Sequence, residues 1–437
     1  MNDDKNHKRK RQATNESPDI TMSCSDCGLA FPSRNQLFRH LRHSEKCCFD
    51  KQNNSMRDDE TQAIEFQKIV LVLAYLGKAY HGSARNDCND CVPTVEGCLW
   101  KAISQALQQR QKPIINKSSS ITSFALQIQQ KTNPKGMTRS SRTDKGVSAL
   151  GNVYSFLLPL EGVLKLKTTT EDSLASAIND HLPFDIRLLR AMMSNEQRQI
   201  PLSFNARTCC EARRYRYLIP SKVLFQKNQH EEPQKESILD LRKRLKQVLL
   251  QWRGTHSFHN FTNWKPKTQS NTEKGNNDDD QESPSCFRHI LRCHVEDVIQ
   301  HNQTDFVVIS IKGQSFLYHQ IRKMMGATIG VMNLSLSTNF IPEALREEET
   351  TIQVPLAPAE GLVLAEAMYS KYCSKHKVEP IGLGTKLLHR DTTKDGGCFH
   401  NPKWEASAVK LTKETAEFQK CVYEQICKDQ AAIFSVL

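Results

Sequence analysis

No stretch of this 437-residue chain stays apolar for the roughly 18 to 20 positions needed to cross a bilayer, so no helical membrane span is expected. The opening residues, MNDDKNHKRKRQATN, contain no apolar run either. A secretory signal peptide needs one, so the chain is expected to stay inside the cell. Acidic residues are in deficit: 48 Asp and Glu against 60 Lys and Arg leave a formal charge of +12. That imbalance, with a pI near 9.0, points to a polyanionic partner, and nucleic acid is the obvious one. Cysteine is plentiful, at 15 residues. Without a secretion signal these are expected to be reduced thiols and a few metal ligands, not a disulfide framework.

At this length the chain can hold two or three domains, and 38% hydrophobic residues suit a soluble globular protein. Residues 1–20 are polar and contain Lys8-Arg9-Lys10-Arg11, a pattern that suits either a nuclear import signal or a solvated tail. A Cys/His segment and a polar linker follow, and the character changes at Lys68. Ile69 to Tyr75 (IVLVLAY) reads as a buried strand, and Thr94 to Gln108 as a helix opened by a Thr cap. Further strands are expected at Asn152 to Leu158, Arg213 to Ile219 and Asp305 to Ile311. Helices are expected at Glu236 to Trp252, Leu317 to Met332 and Lys413 to Ala432. Residues 109–135 are polar enough for a loop, and 265–285 lack apolar content and are expected to be disordered. Strands and helices interleave without a repeat, which predicts a two-lobed α/β or α+β body.

Cys24-x2-Cys27-x12-His40 is three quarters of a two-Cys, two-His zinc finger, with Phe31 and Leu37 at the usual apolar positions between ligand pairs. So short a segment needs the metal cross-link to fold. The fourth ligand is irregular: His43 follows too closely, and Cys47 or Cys48 lies slightly too far. Cys47 is preferred. Cys88-x2-Cys91 lacks a second ligand pair and reads as two ordinary thiols.

The chemistry concentrates in Ser-Arg-Thr-Asp-Lys-Gly-Val-Ser-Ala (141–149). Asp144 stands between Arg142 and Lys145, whose charge is expected to keep it ionised, and Gly146 permits a tight turn beside it. On pattern alone, a solvated charged turn is the simpler reading.

The segment resembles the signature of TruA-type pseudouridine synthases, [GAS]-R-T-D-x-G-V-[SH]-A, which holds a nucleophilic aspartate. Other blocks follow in the family's order: Tyr75-Leu-Gly-Lys-Ala-Tyr-His-Gly82 with Thr94-Val-Glu-Gly97, Leu182-Pro-Phe-Asp-Ile186, Phe204-Asn-Ala-Arg207 and Arg213-Arg-Tyr-Arg-Tyr217. Gly254 to Thr262, Gly313 to Gly326 and Pro355 to Leu362 complete the set. The matches span residues 68–370. One block departs: many members carry Trp-Gln-x-Gln where this chain has Ser83-Ala84-Arg85-Asn86.

The resemblance implies an α+β, two-lobed fold with a mixed or antiparallel sheet, flanking helices and an RNA-binding cleft between the lobes. It implies a catalytic N-lobe at 67–220, a C-lobe at 221–375 and a helical extension at 376–437. A basic tail (1–20), a finger-like segment (21–50) and a linker (51–66) precede them. Asp144 would be the nucleophile in uridine-to-pseudouridine isomerisation, with no metal or nucleotide cofactor for the chemistry. Arg142 would fill the space left by the flipped nucleotide. Tyr215 would lie against the uracil, and Arg322 would pair with the catalytic carboxylate and hold its pKa down. His-Gln-Ile-Arg-Lys-Met-Met-Gly (319–326) and the tail residues Trp404, Phe418, Tyr423, Ile426 and Phe434 resemble the eukaryotic nuclear branch, whose partners are tRNA and, for some members, small nuclear or messenger RNA. Two competing readings remain: an inactive zinc-finger RNA-binding protein, which would require a broken catalytic set, and a tRNA chaperone.

Overall fold

The computed structural model describes residues 22–23, 30–31, 66–85, 92–109, 135–159, 171–194, 200–225, 238–263, 285–346, 351–382 and 413–435. The chain divides into two compact units, Met1–Ile64 and Glu65–Leu437. In the first, strands β1 (Met22–Ser23) and β2 (Ala30–Phe31) pair antiparallel, Met22 opposite Phe31. Cys24, Cys27, His40 and Cys47 lie outside the described residues, as do the basic tail, nearly all of the linker and of the 109–135 loop, and 265–284.

The second unit is built on one nine-stranded sheet. Its strands are β3 (Phe66–Tyr75), β4 (Lys135–Arg139), β5 (Ser148–Pro159), β6 (Ile186–Met193), β7 (Ala212–Pro220), β8 (Gly254–Ser257), β9 (Phe287–His301), β10 (Thr304–Gly313) and β11 (Leu362–Met368). The order is β6-β3-β5-β11-β7-β10-β9-β8, with β4 also pairing β5. β11 runs parallel to β5 and antiparallel to β7, so the strand nearest the C-terminus sits mid-sheet between two earlier ones. This is the mixed sheet with flanking helices that the resemblance implied.

Burial on both faces explains the uninterrupted apolar run of β3. Ile69, Leu71, Leu73 and Tyr75 enter the large core, whereas Val70 and Val72 enter a smaller one on the other face with Phe204, Tyr369 and Ile381. A strand covered on one face only would alternate with polar residues. Among the helices of the large core, the four longer ones are α1 (Val95–Gln109), α2 (Glu171–Asn179), α3 (Ile238–Leu250) and α4 (Gln320–Met332). The Thr94 hydroxyl caps α1 by accepting from the Gly97 amide at 3.2 Å, which satisfies a donor that the first turn leaves open. Two short helices, α5 (Phe340–Ala344) and α6 (Ser370–His376), follow α4 and β11.

The long last helix, α7 (Lys413–Ser435), covers part of the opposite face. Its Val422, Tyr423, Ile426 and Cys427 pack on Leu150, Leu218, Phe306, Val308 and Val363. Beneath it, buried Arg216 pairs with Glu296 and donates to the Tyr423 hydroxyl at 3.1 Å. Glycine is required where α4 meets the extended segment before β11. A Cβ on Gly326 would stand 2.1 Å from the Pro355 carbonyl oxygen.

Candidate active site

The segment 140–147 leaves β4 and enters β5 across an internal frame of hydrogen bonds. The Ser83 hydroxyl, fully buried, accepts from the Thr143 amide at 2.8 Å, and the Ser83 amide donates to the Thr143 carbonyl at 3.0 Å. The departure at Ser83-Ala84-Arg85-Asn86 thus supplies a side chain that braces the aspartate segment. Tyr75 shares a hydrogen bond with Thr143 at 2.9 Å, and Asn152 donates to both the Tyr75 hydroxyl and the Ser141 carbonyl. Gly146 takes φ +83°, the left-handed turn anticipated from its position. Gly77 approaches so closely that a Cβ there would stand 2.1 Å from the Val147 carbonyl oxygen.

Asp144 emerges from this frame with its carboxylate 22% exposed and 3.8 Å from the His319 imidazole. His319 sits where β10 ends and α4 begins, and Arg322, three residues on, shares its face of the helix. Arg322 is held in place from the segment before β11, its Nε donating to the Ala357 carbonyl at 2.8 Å. On β7, Tyr215 lies opposite Leu364 of β11, and Leu364 lies opposite Ala149 of β5, so the register carries Tyr215 towards the aspartate segment. Its hydroxyl meets the Ser141 hydroxyl at 2.7 Å, and its ring takes the edge of Phe316 at 5.3 Å.

Arg213, on the same face of β7 as Tyr215, is buried and makes five hydrogen bonds to four backbone carbonyls. It grips Ser140 twice, at 3.0 and 2.8 Å, and also Cys210, Gln314 and Arg207. One side chain therefore ties the aspartate segment to the loop that carries His319.

Part of this arrangement lies in a stretch that is similar to known proteins. Residues 250–370 match the family described as tRNA pseudouridine synthase, a stretch that contains His319 and Arg322. The Pseudouridylate synthase 1 homolog of Mus musculus is 34% identical over 314 residues, covering 70% of this chain and 62% of that protein. The human protein of the same name is 32% identical, with 70% of this chain and 60% of that protein covered. The tRNA pseudouridine synthase 1 of Saccharomyces cerevisiae is 25% identical over 385 residues, covering 70% and 62%. Over these matched stretches the chain is similar to tRNA pseudouridine synthases. It spans about three fifths of the length of these relatives.

The electrostatics of the site differ from what the flanking sequence suggested. Arg142 and Lys145 are exposed and do not set the ionisation of Asp144. Burial pushes its carboxyl above the ordinary carboxylate range, and His319 and Arg322 pull it back only in part. The expected net depression is therefore corrected: neighbours in an extended segment point to different sides, and the effective cations come from α4. Within ion-pairing distance among the described residues, the partner of Asp144 is His319; Arg322 acts through its field. Burial, with Arg322 and Lys323, lowers His319 towards its neutral form against the pull of Asp144. Burial also raises the Tyr215 phenol, so it stays protonated and able to donate.

Asp144, Tyr215 and Arg322 thus converge, with Arg142 exposed at the same turn. His319, Arg213, Ser83 and Asn152 were not singled out from sequence. His319 left one signal, its spacing of three residues from Arg322 at the start of a helix. The others are visible only through contacts between distant segments.

Proposed function

We propose that this chain isomerises uridine to pseudouridine in tRNA, with Asp144 attacking the target nucleotide. The N1–C1′ bond of the uridine breaks, the base turns, and a C5–C1′ bond forms as C5 loses its proton and N1 gains one. The change is redox-neutral and removes nothing from the RNA, so the chemistry of itself demands no cofactor. The observation that carries this reading is the convergence of a partly desolvated carboxylate, His319 and Arg322 beside a buried, protonated Tyr215. Desolvation strengthens whatever that carboxylate does to an electron-poor sugar carbon. RNA would lie in a basic cleft and bind largely through its phosphates, so affinity should fall steeply with salt. Exposed Arg142 is placed at the turn where it could fill the gap left by a flipped base.

Mapping pseudouridine by carbodiimide chemistry on unmodified tRNA transcripts tests this. Site-specific product is expected, and its absence on every tRNA would move the chain to the class of RNA-binding proteins without activity. Small nuclear and messenger RNAs, which we propose as further substrates, belong in the same experiment. We place the protein in the nucleus on the strength of the Lys8-Arg9-Lys10-Arg11 cluster. Replacing those four residues by Ala should leave a tagged chain in the cytoplasm, and unchanged nuclear signal would reject the import role.

We further propose that Cys24, Cys27, His40 and Cys47 hold zinc. Besides their spacing, the antiparallel pairing of β1 and β2, which flank Cys24 and Cys27 in the chain, supports a metal-closed hairpin. The purified chain should contain about one equivalent of zinc, lost in Cys24→Ala. Less than about half an equivalent in the parent chain rejects the finger.

A further inference from the structure

Between β10 and α4 the chain turns through Tyr318 and His319. His319 holds a left-handed backbone, φ 61° and ψ −1°, at the residue preceding α4. A side chain with a Cβ is disfavoured in that conformation, so the surrounding structure holds it there. Its consequence is a stack. The rings of Tyr318 and His319 lie with centroids 3.7 Å apart and planes inclined by 24°. The neighbouring aromatic of this turn, Phe316, points inward against Tyr215, but Tyr318 is 55% exposed. Among the described residues its hydroxyl has no hydrogen-bond partner. A large flat ring is therefore presented to water at one end of a stack whose other end is 3.8 Å from Asp144.

Two cations, Arg322 and Lys323, follow this ring pair on α4, and their charge acts on the His319 ring. A flat aromatic face among positive charges is the surface on which single-stranded nucleic acid stacks its bases. Turning a uridine out of its helix also strands a neighbouring base without its stacking partner. We propose that Tyr318, backed by His319, receives the face of an unpaired nucleobase immediately adjacent to the target uridine. The inference rests on the functional reading above and deepens it, since it names a second point of contact with the RNA.

The test uses the full chain and a tRNA transcript that it modifies, prepared intact and with an abasic site at either the 5′ or the 3′ neighbour of the target. Base–aromatic stacking of ordinary strength predicts that Tyr318→Ala lowers kcat/KM on intact RNA by about tenfold. The parent chain should lose about as much on one of the two abasic transcripts. On that same transcript Tyr318→Ala should lose nothing more, because the contact is already gone, while Tyr318→Phe, which keeps the ring, should retain the dependence on the base. An unchanged Tm in Tyr318→Ala separates this from misfolding. Losses that multiply on both abasic transcripts, or a Tyr318→Ala protein as active as the parent, overturn the stacking platform while leaving the synthase reading intact. A parent chain that modifies no transcript overturns both.

Discussion

Asp144→Asn should leave no pseudouridine above background on any tRNA transcript that the parent chain modifies. The loss in kcat should be at least about a thousandfold, the scale seen when a nucleophile is deleted from a site whose remaining parts still bind substrate. RNA affinity should be largely retained, because the phosphates are met elsewhere. A modification rate in the variant within tenfold of the parent, by contrast, would remove Asp144 from the reaction. The same carboxylate sets two pH effects. Its pKa is raised by burial, so the ionised nucleophile is lost on acidification sooner than an ordinary carboxylate would be, and the acid limb of kcat/KM should sit above that ordinary value. For stability the sign reverses. The folded state holds the proton more tightly than the unfolded chain, so stability declines as pH rises through the window between the two pKa values. At neutral pH the parent carries that cost in full, and Asp144→Asn should match or exceed its Tm. A clear fall in Tm would mean that the carboxylate is a structural anchor instead.

Arg213→Ala should be the most damaging single change to the body that does not touch the reacting carboxylate. It deletes five hydrogen bonds and leaves four backbone carbonyls without their cationic donor. Charge-assisted bonds in a buried site support a loss of about 4 kcal/mol after allowance for water entering the gap. For a domain of this size that lowers Tm by about 5 to 10 °C. Activity should fall by more than about tenfold even where the variant is still folded, since Ser140 and Gln314 lead to Asp144 and His319 respectively. Arg213→Lys keeps the charge but not the planar fork, so it should recover only part of either loss. A Tm within a degree of the parent for Arg213→Ala would show that the two loops are positioned by other contacts.

Several elements were legible because their local patterns agree with their surroundings. β3 is apolar on both faces, α1 has a Thr cap, and α7 carries a stripe that matches the apolar surface it covers. β11 was not legible. Leu-Val-Leu-Ala-Glu-Ala-Met suits a helix by composition, yet the gap between β5 and β7 makes it a strand. β9 was missed for another reason: its charged and half-buried residues, Arg288 to Asp297, lack a clean two-residue alternation. In the site, the aspartate block and the positions of Tyr215 and Arg322 could be read from motifs in chain order.

The sequence alone carried the family resemblance, the aspartate block, strands β3, β5, β7 and β10 and helices α1, α3, α4 and α7, because these depend on residue type at short spacing. Tertiary structure decided which charges reach Asp144. The adjacent Arg142 and Lys145 face solvent, while His319 and Arg322, about 175 residues further along the chain, face the carboxylate. Coulomb energy follows distance in space and the local dielectric, and neither can be read along a chain.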